Sequence, residues 1–224
     1  MTPWVPEKKD VLAALADDIL HNYGKGRTVI AVDGVDISGS AQFADDLADA
    51  IRLKGHTAFR ASIDDFHRPR AERYARGRDS PEGFYRDSYD YLTFQRTLVQ
   101  PFRMGGSTGF VAAAFDVARD AQVEPVWLTG PADALLIVDG NFLNRPELRG
   151  LWNYSIWLEI SDYEATARRA QRDSAAPNPR PERELRYSGA QALYAVESKP
   201  RTSATAIVNN TDANHPRRTF ADSC

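Results

Sequence analysis

The chain has 224 residues, 42% of them apolar and 26% charged, with a formal net charge of −3. That composition fits a globular protein with a real core, as one large domain or one domain with a lid, and the bulk charge does not argue for a nucleic-acid or membrane partner. No apolar run approaches the ~18–20 residues of a spanning helix, residues 1–10 hold no apolar signal core, and the one cysteine, Cys224, excludes an internal disulfide or a thiolate metal cage. A cytoplasmic protein is the simplest expectation.

In chain order, Val5–Tyr23 predicts an amphipathic helix, with Val11, Leu12, Leu15, Ile19 and Leu20 at helical spacing and Gly24 and Gly26 as its stop. Thr28–Val32 is a β-branched, apolar run, the pattern of a buried strand, and Gln42–Lys54 is helical with Phe43, Leu47, Ala50 and Ile51 on one face. Thr57–Ile63 reads as the second strand. Arg68–Tyr91 is Arg-rich and aromatic, broken by Gly77, Pro81 and Gly83, and reads as a substrate-facing excursion with short helical pieces. Tyr91–Phe102 predicts one helix, and Phe110–Asp116 with Gln122–Leu128 a hairpin. Ala134–Val138 and Tyr154–Ile160 are further strands. Asp162–Arg172 is a helix capped by Ser161, Ser174–Pro181 a flap rich in Pro, Ala and Asn, Glu182–Val196 a helix, and Thr205–Val208 the last strand. The tail from Asp212 is polar and is expected to fray.

Alternating strands and helices predict an α/β protein, a parallel sheet with helices on both faces. Ligands bind such sheets outside the carboxyl ends of the strands. Asp33-Gly34, Asp64-Asp65 and Asp139-Gly140 all fall at such ends, so three acidic positions are expected to meet at one edge.

The stretch Arg27–Ala41, RTVIAVDGVDISGSA, carries the most chemistry. Gly34 and Gly39 occupy the glycine positions of G-x-x-x-x-G-K-[ST], while Ser40 stands at the lysine and Ala41 at the Ser/Thr. Main-chain N–H groups of Ser38, Gly39 and Ser40 at a helix start can bind phosphate unaided, but the cation and the Mg²⁺-holding hydroxyl are missing. An ordinary strand–turn–helix is the plain alternative. Asp64 could take a proton from an attacking hydroxyl, with Asp65 as a metal or hydrogen-bonding partner and His67 on the substrate; acids capping a turn are the alternative. Asp139 matches the acid that holds Mg²⁺ or its water, or else an Asp-Gly turn. Arg169 and Arg172 could close over a transferring phosphate, or face solvent. Phe84, Tyr85, Tyr89 and Tyr91 read first as packing, and within the excursion Arg68 and Tyr85 stand with His67 as candidate substrate contacts.

The blocks VIAVDGVDISGSAQFADDLADAI, SIDDFHRPRAERYARGRDSPEGFYRDSYDY, LLIVDGNFLNRPELRGLW, RYSGAQALY and IVNNTD together resemble the uridine kinase-like branch of the P-loop kinases, with pantothenate kinase and phosphoribulokinase as more distant relatives. The resemblance covers roughly Arg27 to Asp212. It implies a three-layer α/β/α fold with a five-stranded parallel sheet, a small lid and a β-hairpin insertion. The corresponding domains are an N-terminal helix over 1–26, a kinase-like domain over 27–212 with its lid at about 174–186, and a polar tail over 213–224. It also implies ATP-dependent phosphorylation of a small-molecule hydroxyl, on a nucleoside or similar metabolite, with Mg²⁺.

By motif, Asp64 would be the catalytic base, Asp79 a ligand of the acceptor's hydroxyls, and Asp139 with Asp64 the metal side. Arg169 and Arg172 would be lid arginines, and Gly34, Val35, Asp36, Ser38, Gly39, Ser40 and Ala41 the ATP loop. Arg68 or Arg70 could replace the missing lysine. A homodimer is a common assembly among such relatives. Two other readings stay open: a nucleotide-binding pseudokinase, favoured by Ser40 and Ala41, and a metal-dependent hydrolase using Asp64, Asp65, His67 and Asp139.

Overall fold

The computed structural model describes residues 6–174 and 181–220. Helix α1 spans Lys8–Tyr23, strand β1 Thr28–Gly34, helix α2 Ser40–Leu53 and strand β2 Ala58–Ser62. Short helices follow: α3 Arg70–Arg73, α4 Pro81–Asp87, α5 Tyr91–Phe94 and α6 Gln100–Met104. The short strands β3 Phe110–Val111, β4 Phe115–Asp116, β5 Ala121–Gln122 and β6 Trp127–Leu128 come next. Then come β7 Leu135–Gly140, β8 Tyr154–Glu159, α7 Asp162–Ser174, α8 Pro181–Ser198, α9 Pro200–Ser203, β9 Ala206–Asn209 and β10 Arg217–Thr219.

The main sheet has the order β10-β9-β8-β1-β7-β2. All its pairings are parallel except β10 on β9. The five expected parallel strands are therefore present, and a sixth, antiparallel strand is added at the edge. That strand corrects the expectation of a frayed tail: Arg217 pairs with Asn209 and Thr219 with Ile207. Its three polar residues carry no apolar signal, because a short edge strand needs none.

Side chains alternate across the strands. Ile30, Val32, Leu135 and Ile137 face α1 and α2, where Leu15, Ile19, Phe43, Leu47 and Ile51 are buried. Val29, Ala31, Leu136 and Val138 face the other way, into an aromatic layer of Phe84, Tyr85, Tyr89, Phe94, Phe102, Phe142 and Tyr194 from α4 to α6, α8 and their connections. Each of these large apolar side chains contributes about 1.5–3 kcal/mol when fully removed from water. Helix α1 is part of one of the two cores, and its first amide, on Lys8, donates to Asn214 near the far end of the chain.

The helix expected over Tyr91–Phe102 is continuous through Met104, but five residues, Gln95–Val99, form a π turn in which the Gln100 N–H donates to the Gln95 carbonyl. Pro101 has no N–H to offer the preceding turn, so a shift of hydrogen-bond frame is a natural consequence. The expected hairpin is present as two small ladders, β3 with β6 and β4 with β5. In the same layer, α4 lies against α8 so closely that a Cβ on Gly189 would stand 2.8 Å from the Pro81 ring. The flap expected at Ser174–Pro181 lies almost wholly outside the described residues.

Candidate active site

The loop after β1 keeps the path of a phosphate cradle. A Cβ on Gly34 would overlap Ser38 Oγ and stand 2.9 Å from the Leu158 carbonyl oxygen, so glycine is required there. Gly39, at φ 84°, opens α2. Ile37 also sits in left-handed backbone, at φ 68°. For a β-branched residue that costs roughly 1–2 kcal/mol and persists only where its surroundings over-determine it.

Those surroundings are visible. Arg168, on α7, donates to the carbonyl oxygens of Ile37 (3.2 Å), Ser38 (3.5 Å), Asn210 (3.2 Å) and Thr211 (3.0 Å), and to Glu164 (2.7 Å). Asn210 Nδ2 donates to the Ser38 carbonyl at 2.8 Å, and Arg172 pairs with Asp36 at 2.7 Å. The loop's carbonyls are thus drawn toward α7 and the end of β9. The first turn of α2 has no side-chain cap and no acidic residue, which leaves its main-chain N–H groups suited to an anion. Ser38 Oγ is buried with no hydrogen-bond partner among the described residues, and so is Arg169 Nε.

Of the three acidic strand ends, two converge and one does not. Asp64, Asp65 and Asp139 gather at this edge: burial first, and then the neighbouring Asp64 and Asp139 charges, raise the Asp65 carboxyl. Asp33 points into the opposite layer and is fully buried. One of its oxygens accepts from the Gly34 N–H at 2.8 Å. The other accepts from the Asn144 N–H and Nδ2, both at 2.9 Å, and from the Tyr194 hydroxyl. Burial pushes the Asp33 carboxyl up to about 6 against the pull of those donors. It is therefore a buried tie between β1, the loop after β7 and α8, not a wall of the site.

Asp64 stands at the end of β2, exposed. Tyr89 Oη donates to Asp64 Oδ1 at 2.9 Å. Burial, and then the Asp64 charge, raise the tyrosine well above its ordinary value, so it remains a donor. His67 Nδ1 bonds the Asp64 carbonyl at 2.7 Å and its ring lies 4.6 Å from that of Tyr89. Burial lowers the histidine, favouring the neutral imidazole. Arg68 is held by the Tyr89 carbonyl at 3.1 Å, and its ion pair with Glu72 is 3.9 Å. A cleft of about 330 Å³ opens beside His67, walled by Phe66, Thr93, Phe115, Val123 and Trp127. The hairpin that forms its far wall is anchored by Ala114 N–H donating to the Asp65 carbonyl at 2.9 Å. Asp79 is exposed in the turn before α4.

Tyr85 is a correction. It is 1% exposed, its hydroxyl bonds Ser198 and its ring lies under Arg145, so it packs the core and presents no face to the cleft. The other three aromatics noted with it behave as expected for packing, although Tyr89 also donates its hydroxyl to Asp64 and the Tyr91 hydroxyl accepts from Arg145.

At Asp139, burial raises the carboxyl while Arg60 pulls it down. Arg60 Nη2 lies 2.7 Å from Asp139 Oδ1 and 3.4 Å from the Ala41 carbonyl oxygen. Ala41 offers a methyl group where a hydroxyl would help hold a cation, and Asp139 Oδ1 is already paired with the Arg60 guanidinium at 2.7 Å. The side chains present do not fit a divalent cation at Asp139.

Sequence reasoning missed Arg60, Arg168, Asn210 and Tyr89 as parts of this edge. Arginine inside an otherwise apolar strand run was the available signal for Arg60. The others are brought in by tertiary packing alone.

No family model matches the chain, and no curated protein matches it in sequence. Solved structures do match. A possible uridine kinase from Bacillus stearothermophilus is 21% identical at a TM-score of 0.71, over 89% of this chain and 97% of that one. A candidate fructose transport system kinase from Silicibacter sp. TM1040 is 25% identical at a TM-score of 0.62, over 86% and 94%. Phosphoribulokinase from Rhodobacter spheroides is 16% identical at a TM-score of 0.56, over 83% and 70%. The fold is that of the uridine kinase-like P-loop kinases.

Proposed function

We propose that the chain is an ATP-dependent phosphotransferase acting on a hydroxyl of a small molecule, a nucleoside or similar metabolite, at a rate reduced by the loss of the loop's cation. The observation that carries this is the pairing of two things at one sheet edge: a strained phosphate loop held in shape by Arg168, and an exposed Asp64 carboxylate oriented by Tyr89. The left-handed backbone at Ile37 is strain of the kind that gathers at functional sites.

A bound nucleoside triphosphate would supply the phosphoryl group. The chain supplies the rest. Main-chain N–H groups at the start of α2 would bind phosphate oxygens. Asp64 would accept the proton of the acceptor hydroxyl as that oxygen attacks. Arg169, whose Nε lacks a partner among the described residues, would face the developing charge. The apolar, aromatic walls beside His67 suit a ring-bearing acceptor better than a sugar phosphate, which would call for cations. Asp79 and His67 would meet the acceptor's polar groups. No step is assigned to a metal at Asp139, because the side chains there do not fit one.

Transfer of label from radioactive ATP to a panel of nucleosides and other small alcohols tests the reading, with Asp64→Asn as control. Transfer no greater than in that control rejects catalysis. Ser40 and Ala41, together with the Arg60–Asp139 pair, favour one alternative, a nucleotide binder that transfers nothing. Binding of ATP without transfer is its signature.

A further inference from the structure

Arg60 lies on β2, within a run that is otherwise strand-forming and mostly apolar, and its side chain passes over the sheet toward α2. Nε donates to Asp45 Oδ1 on α2 at 2.8 Å. Nη1 donates to the carbonyl oxygens of Ile137 (2.7 Å) and Ala61 (3.3 Å). Nη2 donates to Asp139 Oδ1 (2.7 Å) and reaches the Ala41 carbonyl oxygen (3.4 Å). A guanidinium has five N–H donors in a fixed fork, and here each has an acceptor. Two of those acceptors are carboxylates, one on the first turns of the loop helix and one at the end of the strand beside β1. The charge cannot be removed by deprotonation.

We propose that Arg60 is the resident cation of this edge, so that the loop Gly34–Ala41 binds a nucleotide's phosphates without a divalent cation at Asp139. A dication reaching Asp139 Oδ1 would have to displace a guanidinium tethered at five points and would find a methyl group at Ala41. The two departures of the loop then have a common physical sense. A hydroxyl at position 41 serves a metal that Arg60 excludes. A lysine at position 40 would add a second cation beside one already fixed. This inference rests on the nucleotide-binding reading, and its test separates the two.

The full chain and its Arg60→Ala, Arg60→Gln, Asp139→Asn and Arg60→Ala/Asp139→Asn variants are titrated with Mn²⁺ alone, followed by electron paramagnetic resonance, after circular dichroism confirms folding. Arg60→Gln keeps much of the side chain's volume and some donors, and it stands in if Arg60→Ala does not fold. The expected result is a Mn²⁺ site gained in the Arg60 variants, at least about tenfold tighter than anything in the parent, and lost again in the double variant. A Mn²⁺ site already present in the parent and lost in Asp139→Asn overturns the proposal, as does an Arg60 variant that folds and gains none. In parallel, calorimetry compares ATP binding in EDTA and in Mg²⁺. Affinities within about twofold of each other are expected. A gain of roughly tenfold or more with Mg²⁺ that Asp139→Asn removes overturns the proposal. ATP that binds in neither condition rejects the proposed function and the nucleotide half of this inference, while the Mn²⁺ titration still decides what Arg60 does.

Discussion

Two carboxylates near the strand ends illustrate how burial decides a residue's task. Asp64 is exposed and has one fixed hydrogen bond, from Tyr89, which is what a group that must meet substrate needs. Removing only that donor, in Tyr89→Phe, is expected to leave the fold intact and to lower kcat by roughly tenfold with little change in KM, since a misaimed base affects the reacting geometry more than binding. Steady-state kinetics on the acceptor found by the labelling screen checks this. Asp33 is the opposite case. The folded chain keeps its proton up to about pH 6, while an unfolded chain releases it near pH ~4. Its contribution to stability therefore falls as pH rises through that window and is level above it, by an amount on the order of a few kcal/mol. Asp33→Asn cannot titrate, so the difference in urea unfolding free energy between parent and variant should shrink or change sign between about pH 4 and about pH 6 and then stay constant. A difference that is flat throughout would show that this carboxyl ionises normally in the fold.

At the scale of elements, the loop and α7 form one unit. Arg168 places its hydrogen bonds mainly on main-chain carbonyls from two separate segments, and charged donors of this kind are worth about 1.5–3 kcal/mol each when their partners would otherwise go unsatisfied. Arg168→Ala is expected to lower stability by about 2–3 kcal/mol and to raise hydrogen exchange selectively at residues 36–40, measured by mass spectrometry. Exchange rising evenly across the sheet instead would mean that the arginine acts only globally. The five parallel strands, α2, the hairpin and the helix from Tyr91 to Phe102 were legible because apolar spacing and glycine punctuation act locally, whereas the polar edge strand β10 was not. The loop was legible from its two glycines. Its restraint by Arg168 and Asn210 was not, since those residues lie more than a hundred positions away and carry no periodic signal. Asp33 misled for the same reason: at the end of a strand, only tertiary packing decides which layer a side chain enters, and here Tyr194 and Asn144 claimed it. The π turn was hidden because apolar spacing predicts a helix but not its hydrogen-bond frame, which shifts here ahead of Pro101.

For the whole molecule, the two ends of the described chain are stitched together. Arg218 on β10 reaches Asp18 on α1 at 3.0 Å, and Tyr154 Oη donates to that same carboxylate at 2.8 Å. Removing residues 213–224 deletes β10, unpairs the edge of β9 and breaks this link, with an expected fall in melting temperature of several degrees for the loss of about 2 kcal/mol. A truncated protein melting with the parent would show that the edge strand adds nothing.

The contact of Gly189 with Pro81 has a consequence for engineering. Because there is no room for even one methyl group between those helices, the excursion that carries Asp79 and the helix beyond the expected flap cannot slide past each other at that point. Alanine at position 189 would put a methyl group 2.8 Å from the Pro81 ring, so one of the two helices must give way, at a cost of about 1–3 kcal/mol for an overpacked contact. The strain would fall on the packing of the helix that follows Asp79, from a position that touches neither nucleotide loop nor base.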